Sequence, residues 1–109
     1  MGKYFRTADE LYGVIYYFCP GRICSEEEIG HPETICIHAA DYYLSGFEAC
    51  LFRAIPDMYN HDFVCIDKAL WEKIAQYAEE RGGICTEIVR EADEWVRKVL
   101  QEHSMFTII

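Results

Sequence analysis

Within twenty residues the chain sets out five side chains able to hold a soft cation: Cys19, Cys24, His31, Cys36 and His38. Zinc takes four thiolate or imidazole ligands tetrahedrally, and structural sites commonly begin from a C-x2–4-C knuckle. Cys19 and Cys24, with four residues between them, fall at the loose end of that spacing. Cys36 and His38 lie two apart, which on a helix turns them about 200° from each other, so one ion could take only one of them. The metal candidates are therefore Cys19, Cys24, His31 and Cys36. Zinc ranks behind buried thiols and a surface histidine, and the expectation is a chain without a cofactor.

A second constellation is catalytic in type. Thr34, His38, Asp41, Ser45 and Glu48 recur at spacings of four, three, four and three, which on a helix draws one narrow stripe. A carboxylate one turn from an imidazole orients it and raises its basicity, so His38 and Asp41 form a candidate acid–base pair. Glu48 would stand about 10 Å beyond Asp41, too far to share a proton. Ser45 sits in no nucleophile elbow, and no cysteine carries a local family signature. His61-Asp62 is a lone dipeptide in a turn-rich segment. No phosphate loop, paired HExxH or dinucleotide fingerprint occurs. The pair ranks behind a solvated helix face, and a non-enzyme is expected over an enzyme.

The charge distribution carries more weight. Between Arg22 and Arg53 there is no lysine or arginine, yet six carboxylates occur: Glu26, Glu27, Glu28, Glu33, Asp41 and Glu48. That window supplies −6 of the formal net charge of −9. Such a balance argues against direct binding to nucleic acid or anionic membrane, both of which require lysine and arginine. It fits a basic partner, whose approach long-range attraction would speed. The chain also holds 8 Tyr, 6 Phe and 2 Trp. That is more aromatic area than a short chain hides easily, and tyrosine suits a contact patch because it is large, rigid and half polar.

Stepping along the sequence, Thr7-Ala8-Asp9-Glu10 has the form of a capping box ahead of a helix over 8–18, although Val14 to Cys19 is also a β-prone run. Ser25-Glu26-Glu27-Glu28 is a second capping box, broken by Gly30-His31-Pro32. Pro32 and Pro56 then bracket a long apolar helix over 33–55, which would be the centre of the molecule. Phe63 to Ile66 is a short strand candidate. Asp67 caps a helix over 68–81 that Gly82-Gly83 ends, and Thr86 caps a last helix over 87–103. The apolar tail from Met105 to Ile109 is expected to pair with residues 3–6, to pair with residues 63–66, or to dock on another subunit.

The sequence thus predicts a single domain over 1–109 with a mainly α fold. Four or five helices pack around a central helix at about 33–55; an α+β arrangement with a minor two- or three-stranded sheet is the alternative. The N-terminus lacks a signal-peptide pattern and no span of membrane length is free of charge, so a cytoplasmic protein with reduced cysteines is expected. The leading functional expectation is a small acidic protein that neutralises a basic partner, such as a nuclease, through Glu26, Glu27, Glu28, Glu33, Asp41 and Glu48. The first alternative is a small enzyme or ligand-binding helical domain using the stripe His38/Asp41/Glu48. The second is a structural homo-oligomer subunit.

Overall fold

A computed structural model describes residues 2–7, 10–22 and 33–109. The candidates Cys24, Glu26, Glu27, Glu28 and His31, and the second capping box, lie outside the described residues. Along the chain run β1 (Ile15–Pro20), β2 (Ile35–His38), α1 (Ala39–Leu44), α2 (Phe47–Ala54), β3 (Val64–Ile66), α3 (Lys68–Arg81), α4 (Ile84–Glu102) and β4 (Phe106–Ile108). The strands form one antiparallel sheet in the order β2-β1-β4-β3. The fold is therefore mixed α+β, which overturns the mainly α expectation.

Two elements account for the error. The segment 33–55 is not one helix: Ile35 and Ile37 take a strand, and the remainder divides into α1 and α2. β-branched residues alternating across a short apolar run suit a pleat, and a run of that length does not by itself distinguish strand from helix. The division between the two helices falls at Gly46, whose φ of +87° is left-handed. A Cβ there would meet the Arg81 side chain, so the position also needs the absence of a side chain. The second error is the helix over 8–18. The branched and aromatic run to Cys19 forms β1, and the Glu10 carboxylate accepts from the Thr7 amide at 3.1 Å in the turn before it.

Strand register sorts side chains between the faces. Phe18 pairs with Ile35 on one side and Ile108 on the other, and Ile108 pairs with Val64, making an apolar row toward the helices. Ile66 and Phe106 form a parallel row, and the Phe106 ring lies 5.7 Å from Trp71 and 5.5 Å from Trp95. Cys19, Thr107 and Cys65 line up on the opposite face. The apolar tail is thus an internal strand between β1 and β3. Pairing with residues 63–66 was one of its expected outcomes, and it leaves docking on a second subunit without its motive.

The C-terminal half matches its sequence signals closely. Asp67 caps α3 by accepting from the Leu70 amide at 2.9 Å, and Gly82 ends it. α4 starts earlier than expected, at Ile84, because Thr86 is not its cap. The Thr86 hydroxyl instead donates to the Ala78 carbonyl at 2.8 Å, satisfying an acceptor in the last turns of α3. Ile74, Ala78, Ile88, Ala92 and Val96 are fully buried where the two helices meet the sheet. The Trp71 indole donates to Asp93 at 2.9 Å and ties α3 to α4. Among the described residues no helix is long and apolar enough to cross a membrane.

A candidate binding cleft of tyrosines and carboxylates

β1, α1 and α2 meet where the strand row ends, and the tyrosines of β1 and α1 collect there. β1 presents Tyr16 on the helix side because it alternates with Tyr17. α1 presents Tyr42 and Tyr43 as consecutive residues. Tyr42 is buried and stacks on Tyr16 with ring centres 4.0 Å apart. Tyr43 stands edge-on to both, at 5.8 Å from Tyr16 and 5.2 Å from Tyr42, and its hydroxyl shares a hydrogen bond with that of Tyr16. Offset and edge-on pairs of this kind are the favoured aromatic contacts.

These rings form one wall of a cleft of about 150 Å³ whose other walls include Glu48 from α2, Tyr59, Asp62 and Ile108. Tyr43 is 49% exposed and Tyr59 64%, so two of the rings offer area to a partner. Tyr59 also lies 5.4 Å from the exposed ring of Phe52. The lining contains no lysine or arginine. Burial, then the Tyr43 hydroxyl and the nearby charges, pushes the Tyr16 phenol up to about 12, and burial pushes Tyr42 up as well. Both rings are neutral hydroxyl groups at ordinary pH.

The loop of Met58 to Val64 separates this cleft from a wider one of about 540 Å³. The wider cleft gathers Asp57, His61, Asp62, Cys65 and Arg22. His61 Nε2 lies 3.4 Å from Asp57 Oδ2, both largely exposed. The expected loop dipeptide therefore belongs to the site's rim, with Asp57 rather than Asp62 as the imidazole's neighbour.

The stripe itself does not survive folding. Thr34 is buried ahead of β2, His38 ends β2, Asp41 lies in α1 and Glu48 in α2. Helical spacing was the only thing that joined them. No hydrogen bond links His38 to Asp41 among the described residues, and of the stripe only Glu48 reaches the tyrosine cleft. The metal set is also dispersed. Cys19 is in a disulfide, which removes its thiolate and departs from the reduced state expected of it. Cys36 is buried in β2. Glu33 instead lies near Glu102 and His103, their ligand atoms within 4.8 Å of one another at the exposed end of α4.

What the sequence did not single out is the group Tyr16, Tyr42, Tyr43 and Tyr59. The abundance of tyrosine was its only advance signal, since the rings come from a strand, a helix and a loop. No family model, no curated protein and no solved structure matches the chain.

Proposed function

We propose that this chain is a small binding protein that captures a basic partner, such as a nuclease or another nucleic-acid-handling protein, by taking its arginine and lysine side chains into the tyrosine cleft. The observation that carries the reading is a cleft with four tyrosines, Glu48, His61 and Asp62 in its lining and no lysine or arginine. A guanidinium gains from a tyrosine face and from a carboxylate at once, and tyrosine supplies contact area with few rotors to immobilise. Carboxylates in a partner's cationic groove would compete with phosphate for it.

Of the expected binding residues, Glu48 is central to this reading. Asp57 and Asp62 join it as rim charges, whereas Glu33 lies elsewhere, beside Glu102 and His103. The enzyme alternative loses its motive with the stripe. A cytoplasmic setting stays part of the proposal, favoured by the free thiols of Cys50, Cys65 and Cys85 and opposed by the Cys19 disulfide.

The test is calorimetric titration with an arginine-rich peptide at low and high salt. Expected is an affinity that falls with salt and weakens in Glu48→Ala. Binding with the same affinity in Glu48→Ala would overturn the assignment of the cleft.

A further inference from the structure

On the opposite side of α2 from the tyrosine cleft, Cys50 meets Cys85 of α4. Both thiols are free and buried, and their sulfurs are 3.4 Å apart. A disulfide requires about 2.05 Å between sulfurs, so the pair needs only a small approach of two adjacent helices. The residues are 35 apart in sequence, and the contact exists only in the folded chain.

Access differs between the two. Cys85 has no exposed surface, whereas Cys50 borders a groove of about 260 Å³ between α2 and α3 lined also by Arg53, Tyr77, Glu80 and Arg81. Arg53 is drawn toward Glu80, with Nη1 at 2.8 Å from the carboxylate, and lies 3.8 Å above the Tyr77 ring. Arg81 lies over Gly46 at the start of α2. A small oxidant thus has a way in to one sulfur and a resolving thiol waiting behind it. The Cys65 sulfur contacts the Arg22 carbonyl, and among the described residues no thiol lies against it.

We propose that Cys50 and Cys85 are a built oxidation site at which a peroxide converts the dithiol to a disulfide stapling α2 to the first turn of α4. The Cys50 sulfur gives up its proton and attacks one peroxide oxygen; the O–O bond breaks, Cys50 becomes a sulfenic acid, and the departing hydroxide takes up that proton as water. The Cys85 sulfur then attacks the Cys50 sulfur, the S–S bond forms, the S–O bond breaks, and the hydroxyl leaves as water with the Cys85 proton. The dithiol loses two electrons and one peroxide is reduced to two waters. This inference is independent of the basic-partner reading.

The test treats folded protein with hydrogen peroxide, blocks remaining thiols in denaturant with iodoacetamide, and maps tryptic peptides without reduction. Cleavage after Arg81 and Arg90 isolates Cys85 in the peptide Gly82–Arg90. Expected is that this peptide appears joined to the one bounded by Arg22 and Arg53, lighter by two hydrogens, with fragmentation placing the bond at Cys50. The link should persist in Cys36→Ala and vanish in Cys50→Ala. Treatment of urea-unfolded protein should scatter Cys85 over several partners. Recovery of Cys85 fully alkylated from oxidised folded protein would overturn the proposal, as would a link to a cysteine other than Cys50. Should Cys50→Ala fail to fold, the maps of the wild type and Cys36→Ala decide alone.

Discussion

The two sides of α2 handle charge in opposite ways. Toward α3, the Arg53 guanidinium sits on the Tyr77 ring and pairs with Glu80, so a cation, an aromatic face and a carboxylate satisfy one another within the chain. Toward β1 and α1, the lining holds Tyr43, Tyr59, Glu48, His61 and Asp62 with no lysine or arginine. The first arrangement is closed and the second lacks one member. The proposed reading is that a pattern completed internally on one side of the helix is completed on the other by a partner's guanidinium or ammonium group.

That contrast can be broken by mutation. Among truncations the largest effect is expected from Tyr43→Ala combined with Tyr59→Ala, which should weaken an arginine-rich peptide by about tenfold, since each exposed cation–ring contact is worth roughly 0.5–1 kcal/mol. Tyr77→Ala, which opens the already completed side, should leave the same affinity within about twofold, because its cation is internal. Equal losses from the two would erase the distinction between the sides. Calorimetry on both variants decides it.

A smaller effect sharpens the picture of the cleft wall. Tyr16 ionises near pH 12 in the folded chain against an ordinary value of 10.0, so the folded state binds its proton more tightly than the unfolded state does. The resulting stability is fully present below pH 10 and is lost as pH rises toward 12. Tyr43→Phe removes the hydroxyl partner and should bring the Tyr16 transition down, read as phenolate absorbance in an alkaline titration. An unchanged transition would leave burial and the Glu48 charge as the causes and detach Tyr43 from the wall.

Legibility in the sequence followed whether a signal was local. Asp67, Gly82 and the apolar stripe of α4 act within a few residues, and the helices appeared nearly where those signals put them. Ile35 to Ala54 carried two compatible readings. Helical spacing and strand alternation both fit Ile35 and Ile37, and the choice is made by β1, a distant strand that supplies hydrogen bonds to β2. The break at Gly46 was visible as a glycine but not as a left-handed turn. The site followed the same rule. Glu48 could be named from charge alone, whereas its tyrosine neighbours come from positions 16, 42, 43 and 59 and meet only through the sheet. His38 and Asp41 were joined by a periodicity that the fold does not use.

The central claim is that the cleft, rather than overall acidity, takes the partner's cations. Glu48→Lys and Glu94→Lys change net charge equally, and Glu94 is exposed on α4 outside the cleft lining. Titrating each with the arginine-rich peptide across a salt series tests that claim most directly. The account predicts that Glu48→Lys abolishes measurable binding while Glu94→Lys retains it with a modest loss. Equal losses from the two reversals would show that the peptide follows net charge alone and would contradict the account.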